Sequence, residues 1–85
     1  MKEFAYVIKD ELGIHARPAG MFVKEAARFQ SNVTLTKGEK TVDAKRIIAV
    51  MSLGTKCGDE ITLRVDGDDE DTAFDTLKSF LEENL

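Results

Sequence analysis

The stretch LGIHARPAG, residues 12–20, holds the chain's one histidine, with Gly13 ahead of it and Arg17 and Pro18 shortly behind. Proline is tolerated in the first turn of a helix, where its missing N–H would have no partner anyway, so Pro18 predicts a helix start near residues 15–17. Gly13 supplies the backbone freedom for a sharp entry. His15 then stands beside unpaired N–H groups and the positive end of a helix dipole, a setting suited to a phosphate dianion. A neutral imidazole there keeps the lone pair needed for nucleophilic attack, and Arg17 adds a guanidinium able to pair with phosphoryl oxygens. These residue types fit a phosphoryl-accepting histidine, in which positioning and electrostatics supply most of the catalysis. A partly exposed loop histidine, the usual fate of a lone His, satisfies the same spacing. A hydrolytic triad or a zinc site is disfavoured, because His15 has no second histidine, no nearby cysteine and no carboxylate cluster beside it in sequence.

Three other stretches bear on function. Cys57, in GTKCGD, has no second thiol or histidine near it in sequence and reads as an inert loop or packed thiol. DGDDED, residues 66–71, superficially resembles a calcium loop but lacks the glycine at the sixth position and the full ligand pattern, so helix capping and a solvated acidic turn are expected. KRIIAVM, residues 45–51, carries Ile47, Ile48, Val50 and Met51, more apolar surface than one buried stripe of a short helix requires. Either all four are core, or some form a partner-binding patch with Lys45 and Arg46 at its rim.

The elements that must position these residues follow from periodicity. EFAYVIK is aromatic and β-branched and predicts a strand with Phe4, Tyr6 and Ile8 on one face. DELG turns the chain, and Ala19, Phe22, Val23 and Ala26 then recur at helical spacing, with Lys24, Glu25 and Arg28 on the polar side. NVTLTKGEKTVDA predicts a hairpin turning at KGE, and KRIIAVMSLG a short helix stopped near Gly54. EITLRVD alternates cleanly, placing Ile61, Leu63 and Val65 on one face. DDEDTAFDTLKSFLEENL predicts a last helix with Ala73, Phe74, Leu77, Phe80 and Leu81 along its apolar stripe. The order β-α-β-β-α-β-α implies an α+β open-faced sandwich, an antiparallel sheet with helices covering one face.

Composition sets outer bounds. With 85 residues, no internal repeat and no linker, one domain with a single core is expected. Hydrophobic residues at 42% and charged residues at 33% fit an ordinary soluble protein. The longest apolar run, IIAVM, is too short to cross a membrane, and MKEFAYV has no apolar signal region. A single cysteine forms no internal disulfide and suits a reducing compartment, so a cytoplasmic location is expected. A net charge of −4 argues against nucleic-acid binding. Residues 17–56 nevertheless hold eight Lys/Arg against three Asp/Glu. That imbalance is either ordinary solvated surface or a basic face for an acidic partner.

GIHARPA, followed by KRIIAVMSLG and then GDEIT, closely resembles HPr, the histidine phosphocarrier family of the bacterial phosphoenolpyruvate-dependent sugar phosphotransferase system. The resemblance covers essentially the whole chain. It implies a four-stranded antiparallel sheet with three helices on one side, and a carrier rather than a stand-alone enzyme. It further implies that His15 accepts a phosphoryl group on Nδ1 from phospho-enzyme I and passes it to IIA components of sugar permeases. No cofactor or metal is implied. Arg17 would stabilise the phosphate, while Gly13, Ala16 and Pro18 would shape the helix start. Partners would dock on Gly20, Met21, Lys24, Lys45, Ile47, Ile48 and Met51, and such carriers are expected to be monomeric.

One position departs from the pattern. Many members from Gram-positive bacteria carry a serine at the start of xIxxVMSLG that a kinase phosphorylates, and here that position is Arg46. Arginine cannot accept the phosphate and places a positive charge where the modification would place a negative one. The resemblance therefore implies no such regulation at residue 46. A related group of regulators lacks the active histidine, and His15 argues against that group. A specialised, nitrogen-related phosphotransfer branch is an alternative within the class, and a non-phosphorylated interaction module is one outside it.

Overall fold

The computed structural model describes residues 1–85. Its elements are β1 (Lys2–Val7), α1 (Ala16–Ala26), β2 (Asn32–Lys37), β3 (Lys40–Asp43), α2 (Ile47–Ser52), β4 (Glu60–Asp66) and α3 (Glu70–Asn84). The strands form one antiparallel sheet in the order β1-β4-β2-β3. The most regular alternation in the sequence therefore becomes an inner strand, β4, paired on both sides. Leu63 lies opposite Phe4 on one side and Leu35 on the other, and Val65 lies opposite Val33. Because side chains alternate across a strand, this register gathers Phe4, Tyr6, Val33, Leu35, Ile61, Leu63 and Val65 on one face.

That face is covered by helices. Ile61, Leu63 and Val65 are fully buried, as are Ala19 and Ala26 of α1 and Ala73, Leu77 and Leu81 of α3. Burying each large aliphatic side chain contributes about 1.5–3 kcal/mol. Phe22 and Phe80 meet edge-on, 5.5 Å between ring centres, and join α1 to α3 above the sheet. The opposite face of the sheet is polar: Arg64 Nε donates to Glu3 Oε2 at 2.8 Å, and the Thr36 and Thr41 hydroxyls share a 2.8 Å bond.

The structure refines two boundaries and keeps a third. β1 ends at Val7, yet Ile8 is buried and continues the pairing, donating to the Asp59 carbonyl at 2.9 Å and accepting from the Gly58 N–H at 2.8 Å. α2 begins at Ile47 rather than Lys45, because Asp43 forms a turn first. Its carboxylate accepts from the Lys45 N–H at 2.9 Å and its carbonyl from the Arg46 N–H at 3.2 Å. Gly54, with φ +61°, follows the last turn of α2 and stops it at the expected place. No helix is long and apolar enough to cross a membrane.

Candidate functional site

His15 occupies the N-cap of α1 with extended backbone angles, and its side chain makes no capping hydrogen bond. The first intrahelical bond runs from the Ala19 N–H to the His15 carbonyl at 3.0 Å. Ala16 and Arg17 supply N–H groups without partners in the chain, and Pro18, third in the helix, supplies none. The imidazole is 37% exposed, so it is reachable from solvent. A shallow cleft places His15 together with Arg17, Pro18, Met21, Asp10 and Asn84. Arg17 therefore shares the cleft with the ring. This is the local geometry expected of an anion site: free donors, a dipole end and an exposed cation around a solvent-reachable ring.

The entry to the helix is held by a close backbone crossing. Gly13 has φ +67°, and a Cβ there would come 2.3 Å from the Thr55 carbonyl oxygen and 2.7 Å from Lys56 Cα. Any side chain would thus collide with backbone that cannot rotate away. The neighbouring Ile14 N–H donates to the same Thr55 oxygen at 3.2 Å. The loop after α2 therefore clamps the loop before α1. It brings the two sequence motifs together.

The second motif lies alongside. Gly20 faces α2 with only 3.5 Å between its missing Cβ and Ile47 Cδ1, so the helices approach closely there. Val50 is core, whereas Ile47, Ile48 and Met51 are exposed, Ile48 to 82%. Met21, on α1, is exposed too. The two readings of KRIIAVM thus divide by residue: one side chain anchors α2 and three remain on the surface.

The cations divide in the same way. Lys45 does not stand free at the rim, since its ammonium donates to the Phe29 carbonyl at 2.7 Å and is half-buried. Lys40 donates to the Ser52 carbonyl at 3.0 Å. Lys37 donates to the Leu53 and Gly54 carbonyls at 3.3 and 3.0 Å while pairing with Asp59. The hairpin lysines thus satisfy the carbonyl end of α2, as cations at a helix C-terminus do. Arg28, just past the end of α1, pairs with Glu25. Arg17, Lys24 and Arg46 are absent from these pairings and remain exposed. The basic middle segment is partly scaffold and only partly a free basic face.

One residue beside the ring, Asp10, carried little sequence signal. Asp10 places Oδ2 3.9 Å from His15 Nε2. Its N–H, and that of Lys9, donate to the Leu85 main-chain oxygen at 2.8 and 2.6 Å, which ties the loop before His15 to the end of α3. The DELG turn was visible in sequence; the contact with a segment some seventy-five positions away was not. Cys57 is exposed in the loop following α2, its Sγ 3.7 Å from the Lys9 carbonyl.

The acids at 66–71 act as joints within the fold. Asp69 accepts from the Gln30 and Ser31 N–H groups, both at 2.9 Å, and from the Ser31 hydroxyl at 2.5 Å. The Ser31 hydroxyl first, and the backbone donors after it, hold the Asp69 carboxyl below its ordinary value. Asp69 stands at the N-cap of α3 yet makes no capping bond there, so its side chain fastens the α1–β2 loop.

Fold and site together define a small carrier: an open-faced α+β sandwich presenting a solvent-reachable histidine at a helix start, beside an exposed apolar patch. The sequence matches the family model described as "PTS HPr component phosphorylation site" over residues 2–83. It is 44% identical over 78 residues to phosphocarrier protein HPr of Mycoplasma capricolum, covering 92% of this chain and 88% of that one. It is 45% identical over 85 residues to HPr of Mycoplasma genitalium, covering 99% and 97% of the two chains. The crystal structure of HPr-C-His from Thermoanaerobacter tengcongensis superposes with a TM-score of 0.93 at 42% identity, covering 98% of this chain and 93% of that one. The chain belongs to the HPr family: it is a phosphocarrier of the phosphotransferase system and not a stand-alone enzyme.

Proposed function

We propose that His15 accepts a phosphoryl group from phospho-enzyme I and delivers it to IIA components of sugar permeases. The Nδ1 lone pair forms the new N–P bond as the donor's P–N bond breaks, and the donor imidazole leaves with that electron pair. With one proton on His15 Nε2 and one on the unphosphorylated nitrogen of the donor ring, His15 becomes a phosphoimidazolium, the donor leaves as neutral imidazole, and no proton moves in the step. The free N–H groups of Ala16 and Arg17 and the Arg17 guanidinium receive the phosphoryl oxygens. Gly13, Ala16 and Pro18 shape that helix start. The observation that carries this reading is the solvent-reachable His15 at the N-cap of α1 with no capping bond of its own.

Partners dock on Gly20, Met21, Lys24, Ile47, Ile48 and Met51, an apolar centre with cations at its edge. Such a surface suits an apolar partner face rimmed by carboxylates. Lys45 contributes by fixing the loop after β3 through its bond to Phe29 rather than by a free charge. On this reading the carrier acts as a single-domain monomer in the cytoplasm. Arg46 offers no hydroxyl, so serine-kinase control at that position is absent. Phosphorylation of Ser52 by such a kinase would overturn the wider claim that α2 escapes this control.

The decisive experiment incubates the protein with enzyme I and labelled phosphoenolpyruvate. The wild type is expected to acquire one acid-labile phosphate and His15→Ala none, with unfolding temperatures alike. Label retained by His15→Ala, or absent from the wild type, refutes the reading.

A further inference from the structure

Asp10 lies five residues before His15 and is tied down more thoroughly than a solvated loop acid needs to be. Its N–H donates to the Leu85 oxygen at 2.8 Å, and its carbonyl accepts from the Gly13 N–H at 2.9 Å. Its Oδ1 accepts from the Leu12 N–H at 2.9 Å, closing an Asx turn. Those three bonds fix the backbone and one carboxylate oxygen. The remaining oxygen, Oδ2, stands 3.9 Å from His15 Nε2, with both side chains only about one-third exposed.

That separation is too long for a hydrogen bond and short enough for a direct charge–dipole interaction. A carboxylate facing one ring nitrogen favours an N–H there and disfavours a lone pair there. We propose that Asp10 is a positioning residue for phosphoryl transfer, holding the His15 tautomer that carries its proton on Nε2 and leaves Nδ1 free to attack. The proposal rests on the reading of His15 as the phosphoryl acceptor. Arg17 and the start of α1 face the same ring with positive charge. Asp10 therefore governs which nitrogen carries the proton, while those groups await the phosphate. A carboxylate that orients an imidazole and sets its tautomer is a recurring device in histidine chemistry.

The substitution Asp10→Asn separates charge from scaffold. The amide oxygen still accepts from Leu12, so the turn stays closed, but the group then facing Nε2 is an NH2 donor. A donor there favours the opposite tautomer. The test records two-bond ¹H–¹⁵N correlations of the His15 ring in ¹⁵N-labelled protein at pH about 8.5, well above the ordinary imidazole value of about 6.5. The wild type is expected to be mainly Nε2–H. Asp10→Asn is expected to raise the Nδ1–H fraction severalfold and to slow phosphate uptake from phospho-enzyme I roughly fivefold, with an unchanged unfolding temperature. Asp10→Glu is expected to recover part of the wild-type tautomer ratio. A wild type already dominated by Nδ1–H, or an Asp10→Asn protein with unchanged tautomer and uptake rate, overturns the proposal. The ring spectrum is read without phosphate, so a failure of Asp10 is distinguishable from a failure of His15 to accept label.

Discussion

The two ends of α3, about 22 Å apart along a 15-residue helix, do opposite things with the same kinds of residue. At the N-terminal end every group of consequence has a partner. Asp69 is filled by Gln30 and Ser31, and Lys2 meets Asp71 at 3.1 Å. At the C-terminal end, α3 borders the His15 cleft, where Arg17 and the first N–H groups of α1 have none, and three large side chains of α2, packed beside α1, stay exposed. The lesson is that satisfied polar groups mark scaffold, while unsatisfied ones gathered around a nucleophile mark a surface waiting for another molecule. α1 runs between the same two regions, from His15 to the loop that Asp69 fastens, so both ends share one rigid frame.

Substitutions can break that division or sharpen it. The largest effect on both sides at once is expected from Gly13→Ala. A Cβ forced against the Thr55 carbonyl in a left-handed backbone should cost at least about 2 kcal/mol in urea unfolding. It should also slow phosphate uptake, because the start of α1 shifts. A fully stable Gly13→Ala protein would show that the crossing with residues 55 and 56 is not tight.

Ile48→Ser should act on function alone. The side chain is 82% exposed, so stability should change by less than about 0.5 kcal/mol. If Ile48 anchors a partner, phospho-transfer should show a KM raised roughly tenfold with little change in kcat. An unchanged KM would remove Ile48 from the docking surface.

Asp69→Asn should act on stability alone, and modestly. The Asp69 carboxyl titrates below its ordinary value of 3.8, so the folded state holds its proton less tightly than the unfolded chain does. Its contribution is present above 3.8 and is lost as pH falls below 3.8 through the lowered folded-state value. Asp69→Asn should lower the unfolding temperature at pH 7, narrow the gap between pH 7 and pH 3, and leave phosphate uptake unchanged. A wild-type-like acid limb would show that the other lowered carboxyls carry the pH dependence instead: Asp59, held low by the Lys56 N–H and then by Lys37, and Glu70, held low by the N-terminal ammonium and then by the Gly67 N–H.

Much of this was legible in sequence where local pattern decides. Alternation in EITLRVD and the 3.6-residue spacing after Pro18 report side-chain direction, so the sheet face and the helix stripes followed from them. The His15, Arg17 and Pro18 grouping disclosed a helix start with chemical character because capping is a local event. Charge counting did less well. It could not tell Lys37, Lys40 and Lys45, which bond to backbone carbonyls, from Lys24 and Arg46, which do not. Long flexible side chains choose partners by what the fold brings within reach, and that is invisible along the chain.

The element order, the apolar face of each element and the helix start at His15 were readable along the chain, since each depends on residues within a turn or two of one another. Only the tertiary structure decided which apolar residues of α2 stay exposed, which cations are left free, and that Asp10 stands over His15. Those depend on contacts between segments far apart in the chain, through Thr55 against Gly13 and Leu85 against Asp10. Such contacts exist only once the core has set the helices on the sheet.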